Sequence, residues 1–301
     1  MLVDALARVP AYVRVLTPFT AKDGENLAFY QWQSEQSSHQ PLDKPLARGV
    51  VLIVHGLGEH AGRYNHVANN LCNSGFEVCA YDQRGHGEST GLPGVIPTST
   101  ALLDDLADVL DDTRRQFPSL PLILLGHSLG GLVTSRFVAL NMRPVDALVL
   151  SSPALDAGLS TFQKLLLKVL PAIVPNLRVA NGLNTKFISH DPQVVKNYRS
   201  DRLVHNKISP RLGQFIATAG PATVALAAQW RTPTLLMYAG ADKLVNPAGS
   251  RRFAKRAAKS KTVKPGTVTA TCFDGYYHEI FNERDAGPVF KLLKNWLDAR
   301  F

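Results

Sequence analysis

The segment Gly126-His127-Ser128-Leu129-Gly130 sets a serine between glycines, where the apolar run LPLILLG gives way to the helical pattern LGGLVTSRFVALNM. A serine hydroxyl is a weak nucleophile near neutral pH and attacks a carbonyl only when a neighbouring base takes its proton. Glycine and serine also furnish ordinary tight turns, and a turn residue is the plain alternative for Ser128. The strand–turn–helix context favours the G-x-S-x-G nucleophile elbow. Such a turn strains the serine backbone and draws neighbouring chain against it, so the flanking positions must lack side chains. It also aims the first amides of the following helix at a developing oxyanion.

The chemistry then needs a base and an acid to orient it, in the chain order serine, acid, histidine. Only one histidine follows the apolar run TPTLLMYAGAD, and it is His278 in FDGYYHEIF. Asp242, where that run ends, is the candidate acid, able to fix the imidazole tautomer and stabilise the imidazolium. Asp274 competes for the role but lies too close in sequence to His278 to come from the preceding strand. Singly, Asp242 reads as a turn aspartate and His278 as a surface histidine; their order and strand-end positions point to a triad with Ser128. A second oxyanion donor is expected from the loop His55-Gly56-Leu57-Gly58-Glu59-His60, which makes the N–H groups of Leu57 and Leu129 the donor pair. His55 precedes the serine and is expected to be structural, as are Asp82 and His86 in DQRGHGES.

These groups need a scaffold that gathers strand ends. YVRVLTPF and LAFYQWQ read as two early strands around the turn AKDGEN. GVVLIVHG, FEVCAYD, LPLILLG and VDALVLSS follow as strands, separated by helical patterns such as HVANNLCNSG, which stops at Gly75, and TSTALLDDLADVLDDTRRQF. This alternation predicts a mostly parallel sheet covered on both faces. It lapses from Pro153 to about Thr232, with no clear strand, then resumes through TVTATCFDG and AGPVFKLLKNWLDARF. The expected organisation is a core of residues 1–152 and 232–301 with a helical cap inserted at 153–231. In LSTFQKLLLKVLPAIV the apolar face is wide, which predicts an acyl channel or lipid contact in which Leu166 takes part. A second small core is the alternative.

The chain has 301 residues, 45% hydrophobic and 19% charged, which fits a globular enzyme and excludes a disordered chain. No apolar stretch reaches the roughly 18 residues of a spanning helix. Asp4 and Arg8 interrupt the N-terminus, so no signal peptide is expected. Cys72, Cys79 and Cys272 lack metal-ligand spacing and predict reduced thiols in a cytoplasmic protein, with no metal and no cofactor. Much of the net charge of +9 sits in RRFAKRAAKSKTVK, a predicted solvated amphipathic helix. A weak, peripheral membrane contact through that helix or the cap stays open. Nucleic acid is not expected, because no recognition motif accompanies the charge.

HGLGEHAGRY, YDQRGHGEST, GHSLGG, AGADKLV and YYHE, in this order, resemble the monoglyceride lipase and lysophospholipase branch of the α/β-hydrolase superfamily, among the serine aminopeptidase S33-like hydrolases. The resemblance runs from about residue 15 to about residue 300, and DPQVVKNYRSDRLVH is similar to the family's cap segment. It implies an α/β-hydrolase fold and acyl-enzyme hydrolysis of monoacylglycerols and related single-chain lipids, without metal or cofactor. Ser128, Asp242 and His278 fall on the family's triad positions, and Leu57 and Leu129 on its oxyanion positions. Glu59 and Arg63 fall where members line the glycerol end of the site, and Tyr198 matches a polar cap residue there. A loop salt bridge and a buried phenol are the alternatives for these three. GYYH is bulkier before the histidine than is usual in the family, which predicts a narrower pocket near the base. The leading expectation is a monoacylglycerol lipase. Behind it stand a general carboxylesterase, a lysophospholipase or polyester-oligomer hydrolase, a serine aminopeptidase, and a non-catalytic binding module. Dehalogenases and epoxide hydrolases of this fold resemble one another in placing aspartate at the elbow, which Ser128 argues against.

Overall fold

A strand whose every side chain is buried must be covered on both faces, and this chain has several. The computed structural model describes residues 12–34 and 47–301; the N-terminal stretch holding Asp4 and Arg8 lies outside the described residues. The first six strands are β1 (Tyr12–Thr20), β2 (Asn26–Ser34), β3 (Val50–Val54), β4 (Glu77–Tyr81), β5 (Leu122–His127) and β6 (Ala147–Ser151). Two short strands, β7 (Val179–Ala180) and β8 (Lys207–Ile208), pair only with each other. Then come β9 (Thr234–Ala239) and β10 (Val268–Phe273). The main sheet has eight strands in the order β1-β2-β4-β3-β5-β6-β9-β10. The β1–β2 and β2–β4 pairs are antiparallel and the remaining pairs parallel. The expected mostly parallel sheet is therefore present.

Alternate residues of the central strands feed two cores. Val50, Leu52, Val54, Leu122 and Leu124 face one side, and Val51, Ile53, Ile123 and Leu125 the other. On the first side pack α2 (Ala101–Gln116) and α3 (Leu129–Ala139), through Leu102, Leu106, Leu132 and Phe137. The second side is covered by α1 (Asn65–Asn73) and by the C-terminal helix (Gly287–Asp298), through Val67, Leu71, Leu293 and Trp296. Each such side chain contributes roughly 1.5–3 kcal/mol on burial, so the layer that fixes the strand ends is stiff. Helix α1 ends as its sequence predicts. Gly75 takes φ +86°, its N–H bonds to Cys72 O, and the chain turns into β4.

The insertion contains α4 (Thr161–Ile173), α5 (Pro192–Ser200) and α6 (Pro210–Leu226). A capping box starts α4, with Gln163 N–H donating to Ser160 Oγ and Ser160 N–H to Gln163 Oε1. No residue of α4 is buried. Helix α6 behaves differently. Its Leu212, Phe215, Ala219 and Val224 join the first core, and it packs against α3 and against α7 (Ala248–Lys259). The stretch 153–231 therefore divides by packing, with α4 and α5 outside and α6 in the helical layer of the sheet. The pairing of β7 with β8 is also absent from the sequence reading, because two-residue strands carry no alternation to detect. Helix α7 buries Phe253 and Ala257 and exposes Arg251, Arg252, Lys255, Arg256 and Lys259. The C-terminal helix is α8. None of the three cysteines forms a disulfide, and Cys72 and Cys79 are buried.

Candidate active site

Ser128 occupies the turn between β5 and α3, at φ +52° and ψ −117°. That left-handed backbone costs a non-glycine residue on the order of 1–3 kcal/mol and must be imposed by its surroundings. Ser128 N–H donates to Ser151 O at 3.0 Å, and Ser128 O accepts from Leu132 N–H and Ala154 N–H at 3.0 and 2.9 Å. The glycines answer to crowding. A Cβ at Gly126 would meet Gly130 O at 2.5 Å and collide with Thr134 Oγ1, and one at Gly130 would collide with the carbonyls of Val54 and His55.

His278 and Asp242 converge on this serine from the ends of β10 and β9. His278 Nε2 lies 2.8 Å from Ser128 Oγ, and His278 Nδ1 lies 2.7 Å from Asp242 Oδ2. With Nδ1–H donating to the carboxylate, Nε2 is left to accept the serine proton. Asp242 Oδ1 accepts from Leu244 N–H and Val245 N–H at 2.8 and 3.0 Å, which fixes the carboxylate. Burial opposes charging His278, but Asp242, by charge and hydrogen bond, and then Glu279 and Glu59 outweigh it, and the pKa stands above the ordinary histidine value. Burial likewise opposes charge on Asp242, yet His278 and the two amides hold its pKa low. Asp274, the competing acid, is exposed and accepts from Cys272 Sγ.

His127, beside the serine, is a neighbour that sequence reasoning passed over. Its ring lies 4.8 Å from that of His278, and its Nδ1 is 3.0 Å from Ser151 Oγ. Burial, and then the charge of His278, push its pKa down to about 4, so it stays neutral beside the base. A histidine in the variable position of an elbow carries no signal of its own.

Leu57 and Leu129 both border the cavity beside Ser128 and His278. Leu129 is the first residue of α3, whose amide has no acceptor within the helix, and Leu57 N–H has none among the described residues. Gly56 N–H is held by Glu59 Oε1 at 2.6 Å, and Gly58 O accepts from His205 N–H at 2.9 Å. His55 staples this loop to the next strand end. Its Nε2 accepts from Gln83 N–H at 2.9 Å, and its carbonyl accepts from Gln83 Nε2 at 2.7 Å. Asp82 accepts from Tyr30 OH, Ala61 N–H and Glu88 N–H, a structural hub as expected.

Glu59, Arg63 and Tyr198, which the resemblance sets at the glycerol end, form one charge cluster. Arg63 pairs with Glu59 and, in a fork, with Glu279 at 2.8 and 2.6 Å, while its guanidinium lies 4.6 Å over the Tyr198 ring. Glu59 also accepts from Tyr64 OH at 2.7 Å. Burial works against its charge, but Arg63, then His127 and His55, hold its pKa down to about 2. None of the three lines the cavity beside Ser128, and the contacts they make are those of a loop salt bridge with a phenol over the guanidinium. Glu279, the fourth member, was missed; an acid directly after the candidate base was its only trace in the sequence.

The cavity has a volume of about 330 Å³. Leu159, Leu166, Leu167 and Leu170 of the insertion wall it, with Ile208 and Ile216 below. Leu166, on the apolar face of α4, is among them. The tyrosines of GYYH do not narrow this space. Tyr276 OH donates to Asp285 O, and Tyr277 stacks on His190 outside the cavity. Among the described residues no group of three or more His, Cys, Asp and Glu could hold a metal ion, and no helix is long and apolar enough to cross a membrane. The arrangement has the parts that acyl transfer needs, with an imidazole against a serine hydroxyl and an apolar slot bordered by Leu57 and Leu129.

Residues 45–285 match the family described as serine aminopeptidase, S33. The chain is 34% identical to the monoacylglycerol lipase of Mycolicibacterium smegmatis over 253 residues, 83% of this chain and 88% of that one. It is 33% identical to phospholipase YtpA of Bacillus subtilis over 261 residues, 85% and 96% of the two chains. The crystal structure of a Paleococcus ferrophilus monoacylglycerol lipase superposes with a TM-score of 0.76 at 31% identity, covering 96% of this chain and all of that one.

Proposed function

The chain belongs to the serine aminopeptidase S33 family of α/β-hydrolases, and from that membership we propose an ester hydrolase of the monoacylglycerol lipase type in which Ser128 is the nucleophile, His278 the base and Asp242 its orienting acid. The observation that carries the reading is the continuous line of contacts from Asp242 through His278 to Ser128, opening on a cavity walled by leucines.

Ser128 Oγ attacks the ester carbonyl as His278 Nε2 takes its proton. The tetrahedral oxyanion is held by the N–H groups of Leu57 and Leu129. The imidazolium then protonates the departing alcohol oxygen, leaving an acyl-serine. Water enters, gives a proton to His278 and attacks the acyl carbon; collapse releases the fatty acid and returns the proton to Ser128. A single acyl chain lies along Leu159, Leu166 and Leu170. Residues 153–231 form the cap, with α6 as its root on the core. Phe162, Leu165, Val169 and Ile173 are between 50% and 68% exposed, and this side of α4 makes a weak contact with lipid surfaces during substrate uptake.

Purified protein assayed on monoacylglycerols, lysophospholipids, p-nitrophenyl esters and aminoacyl anilides tests the reading. The highest kcat/KM falls on monoacylglycerols, with no anilide cleavage. Anilides preferred over every ester overturn it. An aminopeptidase must offer a free carboxylate to the substrate ammonium, and Glu59 and Glu279 are already shared with Arg63. Lysophospholipid hydrolysis is the second reading, favoured by the likeness to the Bacillus subtilis phospholipase.

A further inference from the structure

We propose a second ligand site, an anion-binding cleft between α5 and the loop that carries His278, suited to a phosphate group. The cleft has a volume of about 620 Å³, in the range of small-molecule sites, and shares no lining residue with the acyl cavity. Lys186, Lys196 and Arg199 line it, together with His190 and Tyr277.

The chemistry of the cleft lies in its unanswered charge. Arg63, Arg84, Arg143 and Arg252 all pair with carboxylates, whereas Lys186, Lys196 and Arg199 form no ion pair among the described residues. Lys196 and Arg199 are three apart on α5 and share a face. Arg199 Nε donates to Thr185 Oγ1 at 2.8 Å, which fixes the plane of the guanidinium and leaves both terminal nitrogens for a ligand. Two oxygens of one anion match that fork.

The wall opposite is held in place. His190 stacks on Tyr277 with ring centroids 3.6 Å apart and planes at 19°. Its Nδ1 lies 2.8 Å from Glu283 Oε1, so Nε2 is the nitrogen left to face the cleft. Glu283 does not answer the cations. Its Oε1 also accepts from Tyr277 N–H at 2.6 Å, and its Oε2 from His190 N–H at 3.1 Å. Asp191, beside the rim, has Oδ1 on Gln193 N–H as the cap of α5. Three like charges around one cleft repel one another, and an anion bound among them relieves the repulsion. A phosphate, with up to two charges and three acceptor oxygens, satisfies three separated cations better than a carboxylate does. The site touches the ester chemistry only through its back wall, where Tyr277 precedes His278 and His278 N–H reaches Phe187 O at 3.4 Å.

Isothermal titration of the full chain with inorganic phosphate is the test. Lys196→Ala/Arg199→Ala is the site variant. Lys261→Ala/Lys264→Ala, on the exposed segment before β10, removes the same charge elsewhere. Saturable binding is expected in the wild type and the Lys261/Lys264 control, weakened about tenfold or more in the site variant, as loss of charge-assisted hydrogen bonds requires. Arg199→Gln, which keeps a polar stem, weakens binding to a smaller degree. Ser128→Ala protein retains binding, which separates this proposal from the ester reading. Sedimentation with phosphatidylcholine vesicles, with and without phosphatidic acid, identifies the source. Phosphatidic-acid-dependent sedimentation that the site variant abolishes and free phosphate displaces assigns a lipid headgroup. Saturable phosphate binding without vesicle binding assigns a soluble phosphate ester. Absence of saturable phosphate binding, or equal weakening in the site and control variants, overturns the proposal.

Discussion

Arg63 donates to both carboxylate oxygens of Glu279, at 2.8 and 2.6 Å, across 216 residues of chain. Glu279 follows His278, and Glu59, the other partner of Arg63, holds the amide next to Leu57. One guanidinium thus ties the loop of the proposed oxyanion donor to the loop of the proposed base. Two carboxylates against one cation leave a net negative charge, which favours the imidazolium that forms during attack.

The pH profile should register that charge. His278 must be neutral to accept the serine proton, and its pKa is raised, so activity falls as pH drops through a value above the ordinary histidine figure of about 6.5. Glu279→Gln removes one of the charges that raise it. The acid limb of kcat/KM should move to lower pH, and a limb that stays put or rises would show that Glu279 does not act on the base.

Ser128→Ala should cost about a thousandfold or more in turnover, the loss typical of a nucleophile in a triad. Its melting temperature should match the wild type, since alanine inherits the same backbone at φ +52°. Ser128→Gly should be equally inactive but more stable, by about 1 kcal/mol, as glycine carries no such strain. An active Ser128→Ala protein would falsify the mechanism.

Asp242→Asn should cut kcat by about 10⁴-fold with little change in KM, because the amide favours the wrong imidazole tautomer. Asp274→Asn, on an exposed side chain, should change stability by no more than about 0.5 kcal/mol and leave the rate near that of the wild type. The opposite ranking would reassign the acid.

Leu166→Asp should weaken hydrolysis of long-chain monoacylglycerols far more than that of acetate esters. Each methylene bound along an apolar wall is worth up to about 0.8 kcal/mol, so the deficit should grow with chain length. Equal loss on short and long esters would mean that Leu166 supports folding and does not hold the acyl chain.

Ser128, Asp242 and His278 were legible in the sequence because each follows a strand whose apolar run announces it, and strand order then dictates their meeting. The placement of Leu57 and Leu129 beside the cavity was legible for the same reason. The Arg63–Glu279 pair was not, since no local pattern links positions so far apart. Tyr276 and Tyr277 show a different limit, because their bulk was readable but the direction of their rings was not. The packing of α6 on α3 and α7 was not legible either, because nothing in the stretch 175–231 marked one helix as part of the core. Residue type forecasts burial, while the neighbour is chosen by the rest of the fold.

Helix α4 supplies much of the wall of the apolar cavity, yet none of its residues is buried. Substitutions at such positions usually change stability by less than about 0.5 kcal/mol. The lining of the cavity can therefore be varied with little penalty in folding, while a side chain at Gly126 or Gly130 would collide with its neighbours. A combinatorial library at Leu159, Leu166 and Leu170 should retain most of its members as folded proteins and sort them by acyl length. The α4 side of the cavity is shaped on a surface that neither core of the sheet includes.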